Sequence, residues 1–246
     1  PEKYKSYINK LQTLSKVQWV GSEVRTLVNQ GPTESRIDLT IVGDGYTEAE
    51  KERFFEDAQR ITDDLFVGKT FASYLPLFNV HAVFVPSNES GITDIKRKDT
   101  ALGLYRSPKG SKRGIMPGNT NTIEKALSLA PDTDYPILMA NDEFYGGLGG
   151  RYAITTRSKT SGSMVLRHEL GHNFGSVGEE YDGGQVYSGA NSSSSARRLK
   201  WKHWLTSDKS EVFETKFLDG KYVWQSLKGA PYKSDFTFPE GDYYLQ

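Results

Sequence analysis

Two histidines and a glutamate have a spacing that can hold a metal ion and perform acid–base chemistry. His168, Glu169 and His172 form the pattern His-Glu-x-x-His, which is rarely met by chance in a chain with only 4 His. On a helix, residues four apart share a face, so the two imidazoles would converge on one tetrahedral zinc ion. Glu169 would lie beside them, within reach of a water at the metal. The spacing predicts one catalytic Zn²⁺ ion and Glu169 as the general base of a peptidase.

A catalytic zinc site needs a third protein ligand and an open position for water. Gly175, three residues after His172, indicates that the helix ends there and the chain turns back sharply. HExxHxxG resembles the start of the metzincin signature HExxHxxGxxH, whose last residue supplies the third ligand. Gly178 occupies that last position here, and a loop one residue longer would deliver a carboxylate instead. The candidates rank as Glu179 first, Glu180 second, and His203 or Asp182 behind them; His81 is the one other histidine.

A glycine-rich segment precedes the predicted zinc helix and has two interpretations. The backbone of Gly146, Gly147, Leu148 and Gly149 could bind an extended substrate as an added strand, since glycine permits a close approach. A tight hairpin with no substrate role explains the same residues equally well. Tyr181 could donate to the oxyanion, although a structural tyrosine that supports the ligand loop is the better interpretation.

The segments that must position these residues alternate between strand and helix. Strands are predicted over 34–43, 78–85 and 135–141, helices over 4–14, 47–66 and 122–130, a surface loop over 96–118 and an extended edge segment over 151–157. Thr47 and Glu50 form a capping box for the helix that follows. Ser163 is expected to cap the helix that carries His168. The alternation predicts an α/β (α+β) fold.

Composition limits the partners. The formal net charge is zero and cysteine is absent, which removes thiolate ligands and gives no global attraction to nucleic acid. No apolar run approaches 18 residues, so no membrane insertion is expected. Residues 96–113 contain 7 Lys or Arg; such a run could attract acidic substrates, but a solvated loop is its usual meaning. No signal-peptide pattern is present, but a start at Pro1 fits a processed chain from which a signal peptide has been removed. We therefore expect a secreted, extracellular protein. We also expect it to be a monomer.

Several segments resemble the IgA-peptidase family of zinc metallopeptidases, which is metzincin-like. They are IVGDGYTEAE (41–50), FASYLPLFNVHAVFVPSNESG (71–91), YGGLGG from Tyr145, HELGHNFG followed by GEEYD, and KWKHW (200–204), which together span about residues 35–205. The resemblance implies a zincin/metzincin-like twisted mixed sheet, a zinc-binding active-site helix and an irregular C-terminal part. It also implies cleavage of protein or peptide substrates, with zinc held by two histidines and a carboxylate. We expect a single catalytic domain over residues 1–246, with about 1–32 as an N-terminal extension packed on it.

One feature departs from the metzincin pattern. Metzincins place a methionine turn beneath the metal, downstream of the zinc helix, yet Met116, Met139 and Met164 all lie upstream of His168. Either another residue serves that turn or its equivalent is missing. The alternative function is a binding or adhesion domain on a zincin scaffold without turnover, against which the intact Glu169 argues. A purely structural zinc would need four closed ligands, which the sequence does not offer.

Overall fold

A computed structural model describes residues 19–67, 71–107, 111–178, 189–192, 200, 213–218 and 221–226. The chain divides into two compact units, residues 1–174 and residues 175–246. The predicted helix over 4–14 lies outside the described residues. A single catalytic domain over the whole chain stays a prediction.

The first unit is built on a mixed sheet. Its strands are β1 (Glu23–Val28), β2 (Ile37–Asp44), β3 (Phe78–Phe84), β4 (Tyr105–Arg106), β5 (Ile115–Met116), β6 (Tyr135–Ala140) and β7 (Ala153–Thr156). Five of them form one sheet in the order β1-β3-β2-β6-β7. β3, β2, β6 and β7 are parallel, and β1 pairs antiparallel with β3 at one edge. The predicted strands are confirmed, and the extended segment over 151–157 contains the edge strand β7. Residues 23–28 of the expected N-terminal extension are part of the sheet.

The described residues form three α-helices, which are α1 (Lys51–Leu65), α2 (Thr120–Leu127) and α3 (Gly162–Asn173). Short 3₁₀ turns cover Thr33–Ser35, Glu48–Glu50 and Ala72–Leu77. Side chains of α1 and α3 share one buried cluster with Leu39 and Ile41 of β2. Side chains of α2 join a second cluster with Val42 of β2 and Leu138 of β6. Because successive strand residues point to opposite faces, the sheet is covered on both sides, which accounts for its apolar strands.

The N-terminus of α1 is capped as the sequence predicts. The Thr47 and Glu50 side chains form a reciprocal capping box over a short 3₁₀ turn that leads into the helix. Burial opposes ionisation of Glu50, but hydrogen bonds from Arg53, Thr47 and Ser90 favour the carboxylate and lower its pKa to about 2. The capping group is therefore charged at neutral and mildly acidic pH.

The predicted surface loop over 96–118 is wrong in its middle. Leu102, Leu104 and Ile115 are fully buried, and the short strands β4 and β5 pair antiparallel. The cause is Asp44 at the end of β2, whose carboxylate accepts hydrogen bonds from the backbone of Leu102 (2.9 Å) and Leu104 (2.7 Å). Burial raises the pKa of Asp44 above its ordinary value, against the effect of these bonds. A buried acceptor thus draws this part of the chain into the interior.

The second unit contains a regular element that the sequence did not predict. β8 (Phe213–Leu218) and β9 (Lys221–Ser226) pair antiparallel over their whole length. The C-terminal part, expected to be irregular, therefore includes a two-stranded sheet. Elsewhere in this unit, Val177 and Gly189 form an antiparallel bridge.

Candidate active site

Helix α3 carries the His-Glu-x-x-His pattern and is anchored at its first residue. Thr155 Oγ1 donates a hydrogen bond to the carbonyl of Gly162 (2.8 Å). A Cβ on Gly162 would lie 2.4 Å from the Thr156 carbonyl oxygen, so only glycine allows the helix to begin this close to β7. The expectation that Ser163 caps the helix is wrong: Ser161 holds the cap position, makes no side-chain capping bond, and Ser163 lies within the helix.

The two histidines converge as their spacing predicts. His168 Nε2 and His172 Nε2 are 3.1 Å apart, and the rings are nearly perpendicular at 85°. Two nitrogens bound at about 2.0–2.1 Å to one tetrahedral ion would lie roughly 3.3 Å apart. Both imidazoles are half-buried, while Leu166 and Leu170 of the same helix are in the core. The pair therefore fits a single zinc-sized ion.

Glu169 completes a compact group with the histidines. One nitrogen from each imidazole and one carboxylate oxygen of Glu169 all lie within 4.8 Å of one another. Glu169 is only 9% exposed. Among the described residues, this is the one group of three or more His, Asp or Glu side chains that could hold a metal ion.

The glycine-rich segment lies directly against Glu169. A Cβ on Gly149 would be 2.6 Å from Glu169 Oε2, and a Cβ on Gly147 would be 3.4 Å from Oε1 and 2.4 Å from Val165 Cγ1. Glycine at these two positions leaves the space that the carboxylate occupies. This contact joins residues about 20 positions apart, and no signal in the sequence identifies it.

The same segment is hydrogen-bonded within the protein. Leu148 and Ile154 exchange two backbone bonds of 3.2 and 2.9 Å, which makes a tight hairpin. The Gly147 N–H donates to the Arg113 carbonyl (2.9 Å), and its own carbonyl accepts from Ile115 (3.3 Å). The hairpin interpretation thus has direct geometric support. A substrate role for Gly146, Gly147, Leu148 and Gly149 stays a prediction.

The end of α3 lies one residue before the predicted turn. The helix ends at Asn173 with Phe174 as its cap residue, and the Phe174 ring contacts Phe78 and Tyr135 (centroids 5.8 and 5.0 Å apart). Ser176, at φ 53°, is the residue with the left-handed backbone, and Gly175 is not. The expected sharp turn at Gly175 is therefore displaced by one residue, because aromatic packing fixes Phe174.

Further ligand candidates are resolved only in part. His81 lies in β3, where its ring nitrogens contact Asp38 (3.1 Å) and Thr26 (3.1 Å) inside the sheet. Glu179, Glu180, Tyr181, Asp182 and His203 lie outside the described residues. The third ligand and the role of Tyr181 stay predictions.

Arg106 fixes the chain segment that precedes the glycine-rich residues of this site. The sequence does not distinguish it from the other cations of the basic run over 96–113. It is 3% exposed, and its guanidinium donates to Asp142 (2.9 Å) and to the carbonyls of Phe144 (3.0 Å) and Tyr145 (3.2 Å). It also contacts the carbonyl of Lys112. One buried cation therefore fixes the chain that leads into the glycine-rich segment. In sequence it looks like its solvated neighbours.

A comparison with models of known protein families gives a match over most of the chain. The family model described as IgA Peptidase M64 matches residues 26–219, which include the second half of β1, the other four strands of the large sheet and the whole of α3. No curated protein matches the chain. None of the helices among the described residues has the length and apolar character that a membrane crossing requires.

Proposed function

From the premise that the chain belongs to the IgA Peptidase M64 family, we propose that it is a zinc-dependent endopeptidase with Glu169 as its general base. The family supports a metallopeptidase role, and hence protein or peptide substrates. The observation that carries the proposal is the group of His168, Glu169 and His172, whose ligand atoms lie within 4.8 Å of one another on one helix. Two imidazoles with an adjacent buried carboxylate suit a hydrolytic zinc site.

The chemistry divides between the metal and the chain. A zinc ion at this site would polarise the scissile carbonyl and lower the pKa of a water molecule to about 7. His168 and His172 would hold the ion. The Glu169 carboxylate accepts the proton of the attacking water and returns it to the leaving amine. Proton transfer of this kind contributes on the order of 10² to 10⁴ in rate.

Glu169 is held for this task by its surroundings. Its helix is fixed to β7 at Gly162, and its carboxylate lies against the backbone of Gly147 and Gly149. A base fixed in this way needs little reorganisation during the reaction. The same backbone runs beside the site, which supports our proposal that residues 146–149 also align an extended substrate.

We assign the third ligand to Glu179, with Glu180 as the alternative, on the spacing of the loop after α3. Two histidines and a carboxylate would leave the fourth position open for water, as a catalytic site requires. The mixed sheet followed by the metal-binding helix supports a zincin-like, metzincin-like arrangement. A secreted location is proposed with it.

Metal analysis combined with unbiased peptide cleavage tests the proposal. We expect about one zinc per chain, cleavage of members of a random peptide library, and loss of cleavage on chelation with recovery when zinc is restored. Glu169→Gln should retain the zinc and lose at least 10²-fold in kcat. Glu56→Gln, an exposed position on α1, is the matched control and should cleave normally.

Two results would contradict the proposal. Bound zinc with no chelator-sensitive cleavage of any peptide would indicate a binding or adhesion domain on the same scaffold. Near-normal turnover of Glu169→Gln with its metal intact would remove Glu169 from the mechanism.

A further inference from the structure

Two basic loops of the first unit lie at the same end of the small sheet that contains β4 and β5. Thr93 pairs parallel with Tyr105 of β4, which pairs antiparallel with Met116 of β5. The chain therefore departs in the same direction after Thr93 and after Arg106. This topology brings the loop with Lys96 and Arg97 next to the loop with Lys112 and Arg113.

Four cations of these loops have no ion-pair partner among the residues that the structure describes. Lys96, Arg97, Lys112 and Arg113 are exposed. Within the described part of the chain, no carboxylate lies within ion-pair distance of these four side chains; Arg106, by contrast, is paired with Asp142. The whole chain has zero net charge, so this is a local excess of positive charge.

Two exposed aromatic rings adjoin the basic loops. Phe144 is 57% and Tyr145 is 39% exposed. The Arg113 guanidinium lies 5.5 Å from the centre of the Tyr145 ring, and that of Arg106 lies 5.0 Å from the Phe144 ring. Because both rings are exposed to water, they contribute little apolar burial to folding. Tyrosine and arginine side chains together are typical of binding surfaces.

This surface is continuous with the catalytic group. The Arg113 carbonyl accepts a hydrogen bond from Gly147 (2.9 Å), so their segments are one strand spacing apart, about 4.8 Å. Gly147 in turn faces Glu169, whose Oε1 would lie 3.4 Å from a Cβ there. A polypeptide that reaches the basic surface could therefore extend to Glu169 over a few residues.

We propose that Lys96, Arg97, Lys112, Arg113, Phe144 and Tyr145 form a substrate-binding surface, the basic surface, that recognises an acidic segment next to the scissile bond. The assignment rests on the proposed peptidase function. An acidic polypeptide is favoured over a nucleic acid because the surface leads into the segment beside the catalytic base. A polypeptide rich in carboxylates would complement the charge of the four cations and would contact the two rings.

Binding without turnover tests the surface directly. The protein is the full chain with Glu169→Gln, and the probes are fluorescein-labelled octamers of glutamate and of glutamine, measured by anisotropy. At about 20 mM salt we expect the glutamate octamer to bind at least 10-fold tighter, and the difference to shrink at about 300 mM salt as screening increases. Changing Lys96, Arg97, Lys112 and Arg113 together to Gln should abolish the difference.

Single variants provide the matched control. Lys112→Gln should weaken binding of the glutamate octamer about 2- to 5-fold. Lys159→Gln removes the same charge from another exposed position and should change it by less than 1.5-fold. Equal binding of the two octamers, or an unaffected fourfold variant, would overturn the proposal. So would a thymidine octanucleotide that binds more than 10-fold tighter through the same four residues.

Cleavage distinguishes this proposal from the peptidase function. A peptide that the active protein cleaves from the library is extended with eight Glu or eight Gln. We expect at least 10-fold higher kcat/KM for the acidic extension than for the neutral one, and loss of this ratio in the fourfold variant but not in Lys159→Gln. Cleavage without preference would overturn the basic surface alone. Tight glutamate binding with no cleavage of any peptide would overturn the peptidase function and leave the acidic-segment site standing.

Discussion

The carboxylate of Glu169 lies against the backbone at Gly147 and Gly149, which have no side chain to displace it. Gly149 makes the closest approach, since a Cβ there would be 2.6 Å from Oε2. We expect Gly149→Ala to push the carboxylate out of position and to lower kcat at least 10-fold while the zinc content is unchanged. Steady-state kinetics and metal analysis of the same sample measure the two effects separately.

Gly171 offers the matched control for this substitution. It lies in α3 between Leu170 and His172, and a Cβ there would meet no atom of the described residues within 4 Å. Gly171→Ala should leave kcat unchanged and raise the free energy of unfolding by about 0.5–1 kcal/mol, because alanine favours a helix interior. Equal loss of activity in both variants would mean that the close approach of Gly149 to Glu169 is not the cause of the loss.

Two adjacent residues, Glu179 and Glu180, are candidates for the third zinc ligand, and zinc affinity distinguishes them. If Glu179 binds the metal, Glu179→Gln should weaken zinc binding by about 100-fold or more, whereas Glu180→Gln should weaken it by less than about 10-fold. Competition with a chromophoric chelator gives both affinities. The reverse order would assign the ligand to Glu180, and two unaffected variants would exclude both carboxylates.

At the scale of residues, the sequence predicts contacts that are local along the chain. His168 and His172 are four apart on one helix, so their convergence follows from helix geometry alone. The contact of Gly147 and Gly149 with Glu169 depends on how a hairpin and a helix pack. For the same reason Arg106 could not be told apart from its solvated neighbours before its partners at 142–145 were known.

At the scale of elements, the capping group of α1 makes stability depend on pH. The pKa of Glu50 is lowered to about 2 from an ordinary value of 4.5. A carboxyl whose folded pKa is depressed contributes stability above its unfolded pKa, and that contribution is lost as the pH falls from 4.5 toward 2. Because solvent screens a partly exposed group, the contribution is about 1–3 kcal/mol.

Glu50→Gln should therefore lower the free energy of unfolding at pH 7 by roughly 1–3 kcal/mol. Below pH 4.5 the difference between variant and wild type should narrow, because the wild type loses its charged cap. Urea unfolding at pH 7, 4.5 and 3 measures this, with Glu56→Gln as an exposed control on the same helix. A difference that does not change between pH 7 and pH 3 would exclude the carboxylate as its cause.

Other elements show where prediction from sequence stops. The capping box was predictable because Thr47 and Glu50 are three residues apart. The loop over 96–118 was assigned to the surface because Asp44, which holds it by the backbone of Leu102 and Leu104, is about 60 residues away. Similarly, the start of α3 depends on contact between Gly162 and Thr156 of β7, so Ser163 carries no reliable signal.

At the scale of the whole molecule, the two core clusters that the described residues form both lie in the first unit. Every buried residue of the two core clusters lies between Leu39 and Leu170. The family match continues to residue 219, beyond the end of both clusters. The family match therefore includes residues outside the two core clusters.

The chain shortened to residues 1–174 should fold on its own, because it keeps both core clusters. We expect one cooperative thermal transition with a heat-capacity change of about 2 kcal/mol/K, from the usual 12–15 cal/mol/K per residue. A chain ending at Ser161 lacks α3, and with it Leu166 and Leu170, so it should lose cooperativity and bind a hydrophobic dye. Calorimetry of the two chains measures this difference. A broad transition for residues 1–174 would show that folding of the sheet requires residues 175–246.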